Sequence, residues 1–540
     1  MTIKRFGRVR GDWASGSARH GEFPVPGDSR RGRRGLSRLS GNLVRLALLF
    51  VPAILAAQSL AEFEKRITEF TLSNGLHFII LERHEAPVAS FHLQVDAGAV
   101  NDPNGRTGVA HMFEHMIGKG TPTVGSKNYE LERAALAEIE TLYDELDAER
   151  NKGFRSNPAV IERLRAQVKV AIDKANAYVD QNAYPRVIEE NGGVGFNAST
   201  GVDFTMFFYS LPANRAELWF LMQSDWLRHV VFREFYKERD VVREERRMRI
   251  ESSPQGKLQE AHIATAFMAH PYHNFIAGWA SDIENLRATD AREFFQTYYV
   301  PCNMTVAIAG DVDPKEMRRL AEKYYGPIAA RPAPPLVRTV EPKQEGEKRV
   351  EIESPSQPIL LIGYKRPDQR HADDPVLDIL SSILASGRTG LLYKDLVRDK
   401  KISLAAGAVA SVPGAKYPNL FMLYSVPTVG HSVEENEKAV YAVLDKLAKE
   451  PVDTVSLDRA KTKLRAAVIR QLDNNPGMAM QLAMYYTAYG DWRKLFTAID
   501  DLNKVTAADV QRVAREYFGK ANRTVGYTIS PKPASQGGAK

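Results

Sequence analysis

The chain has 540 residues, 44% hydrophobic and 26% charged, a balance that excludes a disordered or fibrous protein and leaves room for two or three domains. Its single cysteine, Cys302, excludes a disulfide framework or a cysteine-rich metal site, and is expected to be a buried core residue. The net charge of +7 is local: residues 1–45 hold 11 Lys/Arg against 3 Asp/Glu, so the rest is near neutral and a nucleic-acid partner is excluded.

In chain order, the basic segment Arg30–Arg45 precedes the apolar run Leu46–Ala57 and then the small residues Ser59-Leu60-Ala61. Basic, apolar, small is the order of a secretory signal, and the apolar run is short for a membrane span. Residues 1–61 are therefore expected to be a leader on an exported protein, periplasmic in a Gram-negative cell, with no stable span after cleavage. An uncleaved anchor is the competing reading. Arg66–Val95 reads as strands, with Asn74-Gly75 marking a two-residue hairpin turn. Residues 106–118 read as a helix. From 129 to 183, apolar residues recur every three or four positions among dense charges, with a break at Gly153–Pro158, which predicts a helical hairpin. Phe196–Tyr209 reads as strand, Asn303–Gly310 as a further strand, and Asp313–Tyr325 as a helix with an Asp-Pro start. The proline-rich stretch 331–348 predicts a linker between a first domain, 62–330, and a second, 349–532, with a disordered tail at 533–540. Both halves run strands then helices, so a duplicated α+β domain is expected.

The chemistry-bearing string is His111-Met-Phe-Glu-His115. On a helix, residues four apart share a face, so two imidazoles can grip one metal ion. Glu114 is displaced around the helix and is free to act as a base on a water molecule, the inverted arrangement of the commoner zinc-peptidase motif. A third ligand is needed, and Glu238 and Glu245, two helical turns apart and flanking Val241 and Val242, are the candidates. By itself that segment reads first as a solvated charged helix, with Val241 and Val242 as apolar positions that could seat it.

Four blocks carry a resemblance to the pitrilysin/insulinase family of zinc metallopeptidases, of the short type seen in mitochondrial processing peptidase subunits and bacterial homologues. They are His111–Thr121, Gly192–Thr200 with Asp203 and Thr205, Glu238–Glu245, and His270-Pro271-Tyr272 with Tyr299–Asp313. The resemblance implies an α+β fold of two similar domains, each a mostly antiparallel sheet packed with helices, facing each other across a cavity. It implies one zinc ion held by His111, His115 and Glu245, Glu114 as general base, Glu238 as an acidic residue supporting the site, and Asn197 and Ala198 on a strand that pairs with extended peptide substrate. Residues 349–532 contain only His371 and His431, consistent with a metal-free half.

Two departures from the family pattern stand out. The stretch between His115 and Glu245 is longer than the family's, by an excess that corresponds to a helical-hairpin insertion at about 130–183. Second, Arg398 matches an arginine that binds substrate in the family, but the tyrosine seven residues on is Ala405 here. A homologous zinc-less subunit supplying an Arg–Tyr pair is therefore an expected partner. The expected function is a zinc-dependent endopeptidase acting on peptides or unfolded segments. The alternative is a non-catalytic structural or peptide-binding relative, against which retention of all the zinc residues speaks.

Overall fold

The computed structural model describes residues 63–531, which lie within one compact unit. The expected leader and the expected tail at 533–540 lie outside the described residues. Among the described residues no helix is long and apolar enough to cross a membrane.

Two sheets organise the unit. The first contains β1 (Ile67–Thr71), β2 (His77–Glu82), β3 (Val88–Val95), β4 (Val194–Thr200), β5 (Thr205–Pro212) and β6 (Met304–Gly310), in the order β1-β2-β6-β3-β5-β4. Only the β2/β6 pair is parallel. The second contains β7 (Lys348–Glu353), β8 (Leu360–Arg366), β9 (Ser403–Val412), β10 (Asn419–Pro427) and β11 (Arg523–Ile529), in the order β7-β11-β8-β10-β9, with only β7/β11 parallel. Taken in chain order, β2 to β6 and β7 to β11 have the same spatial order and the same directions. The molecule is thus an α+β protein built on one duplicated plan, with β1 added to the first copy.

The helices that matter for the site and for the joining of the halves are α1 (Val109–Glu114), α2 (Tyr129–Arg150), α3 (Pro158–Asn176), α4 (Phe235–Arg246), α5 (Pro254–Ala266), α6 (Asp374–Ala385), α7 (Thr454–Gln471) and α8 (Asn475–Tyr489). α2 and α3 form the expected hairpin. Asn128 accepts a hydrogen bond from the Leu131 N–H, Asn157 accepts one from Ala159, and Pro158 opens α3, so both starts are capped as the local sequence dictates. Ala135, Ile139, Tyr143 and Leu146 are buried against Leu164, Val168, Ala171 and Ala175. Residues 331–346 form neither helix nor strand.

The halves exchange helices. α5, from the first half, packs on the second sheet: the His262 ring bonds the Thr524 carbonyl at 2.9 Å and lies against Gly363 and Gly526, where any side chain would collide with it. α8, from the second half, packs on the first sheet: Asn475 donates to the Val88 carbonyl, and the Tyr486 ring stacks on His77 at 3.8 Å. The two helices begin alike, with Ser253 and Asn474 each accepting from a glycine N–H three residues on, Gly256 and Gly477.

Four local expectations need correction. The helix expected over 106–118 is α1 followed by a separate 3-10 turn, Ile117–Lys119, that closes at Gly120 with φ +84. The turn at Asn74-Gly75 is not a two-residue loop. The Leu72 N–H bonds the Leu76 carbonyl and Gly75 adopts φ +96, which frees the Asn74 amide to donate to the Tyr325 and Ile328 carbonyls. Cys302 is exposed rather than buried. Of the valine pair, Val242 is fully buried but Val241 is 46% exposed.

Candidate metal centre

α1 is short, but its setting is rigid. Its buried face is Val109, Ala110, Met112 and Phe113, and the Phe113 ring packs among Trp226, Phe295 and Tyr299. Gly108, just before it, needs φ +87 and faces the Ala277 carbonyl, a position that only glycine fills without strain. The buried Asp102 carboxylate accepts from the N–H groups of Gly108 (2.7 Å) and Ala110 (3.0 Å) and so satisfies the helix start. His115 is already the C-cap residue but keeps helical angles, φ −63 and ψ −13, so it still shares a face with His111.

Glu245 reaches this face from α4. Its Oε2 lies 3.8 Å from His111 Nε2 and 3.6 Å from His115 Nε2. One ligand atom from each of the three residues lies within 4.8 Å of the others, the only such His/Cys/Asp/Glu group among the described residues. Ligands of a tetrahedral zinc, each about 2.0–2.1 Å from the metal, stand about 3.3 Å apart, so the two distances from Glu245 fit the ion with a contraction of a few tenths of an ångström.

The surrounding residues orient each donor. Glu238 Oε2 lies 3.4 Å from His115 Nδ1, and Lys119 holds the other oxygen of Glu238 at 2.6 Å while also bonding Glu234. Arg249 takes Oε1 of Glu245 at 2.7 Å, leaving Oε2 for the imidazoles. Glu114 turns aside and accepts the Thr200 N–H at 2.9 Å. Burial, reinforced by repulsion from His115, pushes the His111 imidazole down to about 4. Burial also acts on His115, but hydrogen bonds to Glu238 and Glu245 prevail and raise it to about 9. Burial would raise Glu245 and Glu238, yet His115 and, respectively, His111 or Lys119 hold each at about 2. Burial raises Glu114 above the usual carboxylate range, opposed by His115 and Thr200. Two charged carboxylates facing the imidazoles make a donor set suited to a divalent cation.

Asn197 and Ala198 lie on β4, the outer strand of the first sheet, with Asn197 exposed and Ala198 buried. The end of that strand, Thr200, is the residue that bonds Glu114. Arg398 sits apart, on a π-helical turn at Tyr393–Asp399, with its guanidinium on the adjacent Asp399. Among the described residues it makes no hydrogen bond or ion pair with the histidine cluster. Ala405 is exposed on β9, the outer strand of the second sheet. Sequence reasoning assigned no role to Lys119, Thr200, Arg249 or Asp102. Only Arg249 carried a usable signal, its position four residues after Glu245.

Residues 78–139 and 169–278 match the family model described as Insulinase (Peptidase family M16), and residues 285–464 match that described as Peptidase M16 inactive domain. The chain belongs to the M16 peptidase family. The break in the first match, 140–168, falls inside the α2–α3 hairpin. Among its relatives is the zinc protease PqqE of Helicobacter pylori, 26% identical over 505 residues that cover 92% of this chain and 99% of the relative. Another is the "Probable mitochondrial-processing peptidase subunit beta" of Arabidopsis thaliana, 23% identical, covering 84% of this chain and 76% of the relative. A crystal structure of a protease from Helicobacter pylori shares the fold at a TM-score of 0.72 and 24% identity, covering 86% of this chain and 99% of that one.

Proposed function

We propose that this chain is an exported zinc-dependent endopeptidase that cleaves peptides or unfolded polypeptide segments. The observation that carries the reading is the convergence of His111, His115 and Glu245 within 4.8 Å, with Glu114 on the same short helix as the two histidines. In it, His111, His115 and Glu245 hold one zinc ion, which when bound would polarise the scissile carbonyl and acidify a water molecule. Glu114 takes the proton of the attacking water on its carboxylate and returns it to the leaving amine. Burial supports this role by bringing its affinity for a proton closer to neutrality, and the Thr200 N–H fixes its orientation. Glu238, itself held by Lys119, orients His115. The free edge of β4, with Asn197 and Ala198, offers backbone donors and acceptors to an extended substrate.

Ala405 leaves the second half without the phenol that the family resemblance implies. We therefore propose that a homologous zinc-less subunit supplies an Arg–Tyr pair, with Arg398 contributing to substrate binding. The name of the Arabidopsis relative, a subunit, supports pairing of this kind. The order of charges and apolar residues over 30–61 supports export. The direct test is Glu114→Gln: metal content measured on the purified variant stays at the wild-type level while cleavage of a mixed peptide pool disappears. Loss of the metal would make Glu114 a ligand and overturn the assignment.

A further inference from the structure

A groove of about 580 Å³ runs beside the metal centre along α4 and the π-helical turn Arg247–Glu251 that continues it. Glu245 belongs to both the groove and the histidine cluster. Val241 and Met248 stand four residues before and three residues after Glu245, so all three side chains share one helical face. Both are exposed, at 46% and 58%, although the helix does not lack a core-facing side: Phe235, Tyr236, Val242 and Ile250 are buried. The pair is therefore not needed to seat the helix. Most charged residues around it are engaged, Lys237 with Glu234 at 2.7 Å, Glu244 with Arg247 and Arg249 with Glu245 at 2.7 Å, while Asp240 also lines the groove and makes no hydrogen bond or ion pair among the described residues. What remains open to a ligand next to Glu245 is the aliphatic pair, one half of it a flexible methionine able to fit side chains of different shape, bordered by the Asp240 carboxylate, which repels an acidic side chain.

We propose that this groove receives an aliphatic side chain of the peptide substrate flanking the cleaved bond, so that Val241 and Met248 set the specificity. The proposal rests on the peptidase reading above and names its substrate class: peptides with Leu, Ile, Met or Val beside the scissile bond. A bond placed at the His111–His115–Glu245 cluster brings its flanking side chain to within a helical turn of both residues. Covering them with an apolar group removes their surface from water, whereas an acidic side chain there is desolvated without a free partner.

The test separates binding from turnover. Fluorescein-labelled, alanine-based decapeptides carrying one Leu or one Asp are titrated by anisotropy against the full-length, zinc-loaded Glu114→Gln protein. The Leu peptide is expected to bind about tenfold more tightly or better. Adding Val241→Asp or Met248→Glu abolishes that preference, and Met248→Leu, which keeps the surface apolar, retains it. Equal binding of the two peptides, binding of neither, or a preference that survives both charged variants overturns the proposal. The wild-type protein is then given the same peptides. Preference in the Glu114→Gln protein without cleavage by the wild type, either alone or paired with the zinc-less subunit, sinks the catalytic reading and leaves the groove standing. Cleavage with no aliphatic preference does the reverse.

Discussion

Between β3 and β4, the first half carries α1 with His111, Glu114 and His115, followed by the α2–α3 hairpin. Between β8 and β9, the second half carries α6, whose polar pair Asp374 and Asp378 is also four residues apart. There the cation is built in: the buried Arg366 guanidinium bonds Asp374, and burial together with Asp374 pushes Asp378 up to about 7. In the first half, the carboxylate that meets α1 comes from α4, and Arg249 takes only one of its oxygens. The same strand plan thus supports an internally neutralised helix in one copy and an open donor set in the other. The difference lies in which side chains the connecting helices present, not in the sheets.

Variants can break this contrast at several levels. The largest effect is expected for Glu114→Gln, about 10³-fold or more on peptide cleavage at unchanged metal content, since it removes only the proposed general base. His111→Ala comes next. Metal bound per chain, measured by elemental analysis after dialysis, should fall from about one towards none, while Asp378→Asn in the second half leaves it unaltered. Third is Arg233→Ala. Arg233 and Glu132 form a fully buried pair, and the guanidinium also donates to the carbonyls of Lys119, Thr121 and Val124, bolting the hairpin to the loop that follows His115. Losing one partner of such a pair costs about 3–5 kcal/mol, readable as a lower urea midpoint. Removing the exposed Lys174–Glu138 pair should leave that midpoint where it is.

Gly256→Ala and Gly477→Ala probe the exchanged helices. In each, the new methyl group would press on a backbone carbonyl, of Arg249 or of Gln471, and a loss of about 1–3 kcal/mol is expected. A neutral result in one and not the other would show that only that helix start can shift to admit the methyl group. The smallest effect is expected for Ala405→Tyr, which should leave the activity of the proposed subunit pair nearly unchanged. A large gain for the isolated chain would instead place the missing phenol in this subunit and argue against the partner.

Much of this was readable in short stretches of chain. The spacing of His111 and His115 declares a shared face wherever the backbone is helical, and the caps Asn128 and Asn157 with Pro158 mark helix starts by local hydrogen bonding alone. The hairpin pattern from 129 to 183 follows from a helical period over many residues, which is why its outline was clear. Single positions were not. Val241 and Val242 look interchangeable in sequence, but the rotation of α4 on its neighbours buries one and exposes the other. Cys302 is apolar enough for a core, yet the turn that holds it lies at the surface.

The sequence by itself determined the placing of His111, Glu114 and His115 along one short segment, the helical hairpin and the α+β class, because each is written in residues close enough to interact along one element. Tertiary structure alone decided that Glu245 meets His111 and His115 across 130 residues of chain, that Arg249 and Lys119 orient the carboxylates, and that α5 and α8 change places between the halves. Those contacts depend on strand order and on how helices seat on the sheets, and no local spacing encodes them.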